Sequence, residues 1–174
     1  IDNQLIDKFP LEGEKDTQRI ASLLSNEVEP GDVICLNGDL GVGKTSFARA
    51  FIRTLTADDE PVPSPTYTLI QHYHAKRNKV GLEIFHVDLY RISCHSEIEE
   101  LGLEDALGIG VSLIEWPELS IPSLPQDRLE IYLQFGKGVS ERYMDLFGSS
   151  RWLSLAHSIE AVSYTHLRAH ETQS

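Results

Sequence analysis

The chain has 174 residues, 41% hydrophobic and 24% charged, a composition that suits one globular domain built on a single core. Its 15 Lys plus Arg against 27 Asp plus Glu give a net charge of -12, which argues against autonomous nucleic-acid binding and routes any role near RNA through other proteins. No run approaches the ~20 apolar residues that span a bilayer, and Cys35 and Cys94, without paired or metal-ligand spacing, fit a reduced, cytoplasmic setting.

From Thr17 to Glu27 the spacing of Ile20, Leu23, Leu24 and Val28 predicts a helix, with Asp16 as its N-cap. Pro30-Gly31-Asp32 reads as a turn, and Val33 to Leu36 as a short apolar strand of the kind buried in a parallel sheet. A glycine-rich loop follows, then a helix from Lys44 to Leu55 with Phe47, Ala48, Phe51 and Ile52 inward. Three prolines between Asp58 and Pro65 remove donors and fix φ, so that stretch is expected to be an exposed loop. Thr68 to His74 and Gly81 to Tyr90 predict a hairpin over the polar turn Lys76-Arg77-Asn78-Lys79.

One helical stretch carries Ile98, Leu101, Leu103, Ala106 and Leu107, with acids on its other face. Val111 to Ile114 is a second apolar strand, ending at Glu115-Trp116-Pro117. Arg128 to Phe135 and Glu141 to Phe147 predict two last strands, and Ser150 to Ala161 a last helix. Val162 to Ser174 has no apolar period and is expected to be a non-native or disordered tail beyond a single domain at 1–161. Strands alternating with helices, plus one hairpin, make the fold class α/β.

Gly38-Asp39-Leu40-Gly41-Val42-Gly43-Lys44-Thr45 matches G-x-x-x-x-G-K-[ST], after a strand and before a helix as a phosphate-binding loop requires. Glycines let the backbone turn tightly and aim successive N–H groups inward as an anion nest. The following helix adds the positive end of its dipole. In such a loop Lys44 reaches the β- and γ-phosphates of ATP, and the Thr45 hydroxyl ligates Mg²⁺.

Magnesium takes oxygen ligands, commonly one or two protein carboxylates, and two acids stand at strand ends. Glu115 closes Val111 to Ile114, and Asp88 follows Ile84-Phe85-His86-Val87. Ligands lie outside the carboxyl ends of strands in open α/β sheets, which favours function over edge acids facing water. Thr66 and Thr68 stand where a segment could sense the γ-phosphate, or are ordinary turn residues. Arg91, beside Tyr90, pairs with an acid or with phosphate. Trp116 stacks on a partner or substrate, or packs in the core, and His86 is a base or a packed strand residue. His72, His74 and His95 form no metal constellation in the sequence.

Five segments together resemble the TsaE (YjeE) family of P-loop ATPases. They are Leu36 to Thr45, Ser64-Pro65-Thr66-Tyr67-Thr68-Leu69, His86-Val87-Asp88-Leu89-Tyr90-Arg91, Glu99-Glu100-Leu101-Gly102-Leu103 and Ile114-Glu115-Trp116-Pro117-Glu118. The likeness covers roughly Leu11 to Phe147, and the set of five is specific where the phosphate loop alone is shared widely. It implies a P-loop NTPase fold with a mixed, mostly parallel sheet flanked by helices and an antiparallel hairpin. It implies phosphate binding by Asp39 to Thr45, Mg²⁺ ligation by Thr45 and Glu115, and roles for Thr66, Asp88 and Trp116 in hydrolysis or coupling. The family's ATP turnover is tied to TsaB and TsaD, where TsaD transfers threonylcarbamoyl to adenosine 37 of tRNAs reading codons that begin with A. Contact with tRNA is then indirect.

Two other classes compete. A small-molecule kinase needs a basic lid, yet Arg19, Arg49, Arg53 and Arg91 are scattered. A guanine-nucleotide switch needs Asn-Lys-x-Asp, and the nearest match, Asn78-Lys79-Val80-Gly81, lacks the acid. ATP hydrolysis that resets a partner enzyme is the leading expectation.

Overall fold

The computed structural model describes residues 4–66 and 68–162. Strands β1 (Gln4–Glu12), β2 (Val33–Asn37), β3 (Ile70–Arg77), β4 (Val80–Asp88), β5 (Val111–Glu115), β6 (Leu129–Phe135) and β7 (Glu141–Gly148) form one sheet ordered β1-β7-β6-β2-β5-β4-β3. The four central strands β6, β2, β5 and β4 pair in parallel, while β7 with β1 on one side and β3 on the other pair antiparallel. The expected mixed sheet with an antiparallel hairpin, β3–β4, is therefore present on a parallel centre, and β6–β7 makes a second hairpin. Every residue of β2 and β5 is buried, as expected of strands covered on both faces.

Alternation along the strands assigns side chains to two layers. Ile34 and Leu36 of β2 join Phe47, Phe51 and Ile52 of α2 (Lys44–Leu55) and Leu24 of α1 (Glu14–Glu27) in one core. Val33 and Cys35 point the other way, toward Ile98 of α3 (His95–Glu100) and Leu103 of α4 (Leu103–Leu107). Phe47 and Phe51 are fully buried, each stabilising the fold by roughly 1.5–3 kcal/mol. A helix over 153–162 closes the chain's described part, with Leu155 and Ile159 in the first core. No helix among the described residues is long and apolar enough to cross a membrane.

Several expectations need correction. Helix α1 begins after Gly13, so Asp16 lies in its first turn, and its carboxylate accepts the Glu12 N–H at 2.8 Å instead of capping. The β3–β4 turn is only Asn78 and Lys79, at φ 52° and 68°, and Lys76 and Arg77 belong to the strand. Such a two-residue turn matches the twist of the strands it joins. The helix expected through Ile98 and Leu107 is two helices, because Gly102 adopts φ 73° and breaks the run. Within the proline-rich stretch Val62 is buried, and Arg49 and Arg53 donate to the carbonyls of Val62 and Glu60, tying that loop to α2. Strand β1 had no counterpart among the predicted elements. Val162 is still helical, and the rest of the expected tail, 163–174, lies outside the described residues, as does Tyr67.

Candidate nucleotide-binding site

Strand β2 feeds the phosphate loop, and α2 starts at its end with Phe47 N–H donating to the Gly43 carbonyl at 2.9 Å. Gly38 has φ 146°, and a Cβ there would meet the Leu133 carbonyl oxygen at 2.6 Å and Val42 Cγ1 at 2.7 Å. Only glycine fits this crossing between the loop and β6. Val42 itself turns into the core, while its carbonyl accepts Arg142 Nε at 3.1 Å, which fastens the loop to β7.

Lys44 is buried beneath the loop. Its Nζ donates to the carbonyls of Gly38 and Asp39, the latter at 2.9 Å, and lies 4.0 Å from the centre of the Trp116 ring. Burial pulls its pKa below the ordinary lysine value, against the opposing pull of Glu115 and Asp88. Trp116 reaches this position through a left-handed backbone, φ 57°, a conformation that costs roughly 1–2 kcal/mol in a non-glycine residue. Tyr90 leans on the same ring at 4.9 Å between centres.

The carboxyl ends of β2, β5 and β4 lie side by side, with Leu36 opposite Glu115 and Glu115 opposite Asp88. Glu115, buried, takes the Thr45 hydroxyl at 2.8 Å to Oε1 and 3.0 Å to Oε2. His86 Nε2 approaches Oε2 at 2.6 Å from the neighbouring strand, and its ring is fully buried. If Nε2 carries the proton, it orients Glu115 as a fixed acceptor; His86 Nδ1 has no hydrogen-bond partner among the described residues. Asp88 Oδ1 accepts the Tyr90 N–H at 2.9 Å and Oδ2 the Thr66 hydroxyl at 3.5 Å, while Thr66 meets Ser64 Oγ at 2.6 Å. Burial raises the Asp88 pKa above the ordinary carboxylate value, and the nearby Glu115 charge adds to this.

A cavity of about 330 Å³ opens over this group, lined by Lys44, Thr45, Thr66, Asp88, Glu115 and Trp116, with Tyr90 and Arg91 on its rim. The sequence-predicted residues are thus brought together, with two qualifications. Thr68 does not line the cavity, and Gly38, Asp39 and Val42 contribute loop shape rather than lining. Asp88 and Glu115 are buried acids on central strands, not edge residues facing water. Trp116 is half-buried against Lys44 rather than packed in the core.

Two features do not follow from the sequence. It leaves His86 either a base or a packed strand residue, and only the strand register shows that it touches Glu115. A second cavity of about 740 Å³ shares Gly41, Gly43 and Ser46 with the first and runs to Thr17, Arg49 and Arg142. Residues so distant in the chain leave no local pattern.

The donor set at the loop's end can be tested against magnesium. Thr45 Oγ1 and the Glu115 carboxylate already converge from α2 and β5 as oxygen donors, with Asp88 alongside, which is the hard-oxygen chemistry that ion prefers. The residues fit.

A family model described as "Threonylcarbamoyl adenosine biosynthesis protein TsaE" matches residues 11–143. The chain belongs to the TsaE family. It is 40% identical over 124 residues to the tRNA threonylcarbamoyladenosine biosynthesis protein TsaE of Rickettsia conorii, covering 71% of this chain and 69% of that protein. The TsaE protein of Bacillus subtilis is 41% identical over 121 residues, covering 69% of this chain and 72% of its own length. The crystal structure of YdiB from Bacillus subtilis superposes with a TM-score of 0.71 at 30% identity, covering 94% of this chain and 99% of that one. The resemblance and the fold expected from five motifs are both borne out.

Proposed function

We propose that this TsaE-family chain is a magnesium-dependent ATP hydrolase of the cytoplasm. In this reading it serves the addition of threonylcarbamoyl to adenosine 37 of tRNA, and its ATP cycle regulates a TsaB–TsaD partner complex that handles the tRNA. The observation that carries the reading is the contact of Thr45 and Glu115, which joins the phosphate loop to a second strand at the spot where a nucleotide's metal is needed.

The loop amides from Asp39 to Thr45 and the N-terminal end of α2 bind the phosphates. Lys44 exchanges its loop carbonyls for phosphate oxygens, and Trp116 fixes the direction from which its amine approaches. Mg²⁺, held by Thr45 and Glu115, would supply charge neutralisation between the phosphates. His86 holds Glu115 in its orientation. Asp88, restrained by the Tyr90 amide and facing Thr66, orients the attacking water. The larger cavity beside Gly41 and Gly43 offers the room into which the nucleoside extends.

Arg91 is the arginine on the rim of the smaller cavity, and it is exposed. A positioned arginine is worth about 10³ to 10⁵ in rate in related chemistry, so turnover is slow in the isolated chain and faster with partners. The test measures ATP hydrolysis with and without the TsaB–TsaD pair, for wild type and Glu115→Ala. Stimulation of wild type and loss in the variant are expected. Full speed in isolation with no response to partners would overturn the coupling, and an unimpaired Glu115→Ala would overturn the metal assignment.

A further inference from the structure

A second ionisable cluster lies on the other face of β4, away from the nucleotide site. The period of two along β3 puts His72 and His74 on one face of the sheet's edge strand. Register sets His74 opposite Glu83 and His72 opposite Phe85. His72 Nε2 and His74 Nδ1 approach the same Glu83 oxygen at 2.6 and 2.7 Å, and the three ligand atoms all lie within 4.8 Å of one another. The His72 ring is stacked on Phe85 at 4.3 Å, so its direction is fixed by packing as well as by hydrogen bonding.

We propose that His72, His74 and Glu83 form a binding site for one divalent transition-metal ion of the zinc class. Two imidazoles and one carboxylate make three ligands with the fourth position open to water, a familiar tetrahedral set. Metal–ligand bonds of about 2.0–2.2 Å put tetrahedral ligand atoms roughly 3.3–3.5 Å apart. The two nitrogen–oxygen spacings of 2.6 and 2.7 Å open by under about 1 Å to reach that distance, a small rotation for groups whose side chains are 41%, 78% and 33% exposed.

The nitrogen content separates this site from the oxygen-only pair Thr45 and Glu115. Borderline cations such as Zn²⁺ accept imidazole, whereas Mg²⁺ does not compete for it. A ring proton now shared with Glu83 can move to the other nitrogen of each exposed imidazole, so neutral rings bind without net proton loss. A metal here cross-links the two arms of the hairpin and stiffens an exposed edge strand. Glu83 stands five residues before Asp88 on β4, roughly 16 Å along the strand, which makes the site structural rather than a participant in phosphate chemistry.

The histidines gave no metal signal in the sequence because the third ligand lies on the other arm of the hairpin. The test titrates tag-free full chain with Zn²⁺ by calorimetry and by competition with a chromogenic chelator. Wild type should bind one equivalent that millimolar Mg²⁺ does not displace. His72→Ala, His74→Ala and Glu83→Gln should each weaken it by at least about 100-fold, beyond the ~10–100-fold lost with an outer-shell partner alone. Glu115→Gln should keep it. Cobalt added to wild type should give the visible absorption of a tetrahedral site, a readout that needs no variant to fold. Absence of a bound equivalent in wild type, or histidine variants that bind as tightly as wild type, would overturn the proposal.

Discussion

Among the described residues histidine meets glutamate at 2.6 Å twice, once on each face of β4. At His86–Glu115 the side chains are 0% and 3% exposed, and the carboxylate also holds the Thr45 hydroxyl. At His72–Glu83 both groups reach solvent, and a second histidine shares the same oxygen. The bond lengths are equal, but the consequences of breaking them are not. Water replaces a lost partner on the surface, whereas a buried donor or acceptor left alone bears the full cost of its desolvation. Burial therefore turns one pair into a rigid support for the phosphate loop and leaves the other free to accept a ligand.

Three measurements sharpen or break that contrast. The largest effect is expected at the buried end, where Lys44→Ala should abolish ATP binding in calorimetry while the chain stays folded; unchanged affinity would remove the phosphate loop from the site. Next, His86→Leu should lower unfolding stability by about 1–3 kcal/mol because Glu115 keeps its burial and loses a partner. His72→Ala, measured by the same urea titration without added metal, should cost under about 1 kcal/mol. Equal losses would mean that burial does not distinguish the two pairs.

The smallest effect is a pH dependence at Asp88. Its raised pKa means that the folded chain holds this proton more tightly than the unfolded chain, whose value is near 3.8. The resulting stabilisation is fully present below 3.8 and fades as pH rises through the elevated folded value. Wild type should thus gain stability on acidification relative to Asp88→Asn, seen as diverging urea midpoints. Parallel midpoints across that window would show Asp88 to be unperturbed.

What could be read from the sequence depended on how far apart the cooperating residues lie. The phosphate loop is eight consecutive residues, so its chemistry is legible without a fold. Glu115 and Asp88 were legible as acids at the ends of apolar strands. The partnership of His86 with Glu115 was not, because it depends on the parallel register that sets β4 beside β5. The same holds for Glu83 and the two histidines. Strand β1 was missed because only Phe9 and Leu11 are buried in it, and Pro10 is tolerated at the sheet's edge. One predicted helix became two because Gly102 lies inside a stretch whose apolar spacing is otherwise continuous.

The position of β2 carries a consequence for how the protein is made. Val33–Asn37 is flanked only by β5 and β6, which are synthesised long after it. Closing such distant pairings costs chain entropy before any contact rewards it. The loop emerging from β2 therefore gains its fixed shape late, once Leu133 has arrived to lie against Gly38. A nascent chain halted before β6 would carry the whole phosphate-binding motif and still lack the wall that shapes it.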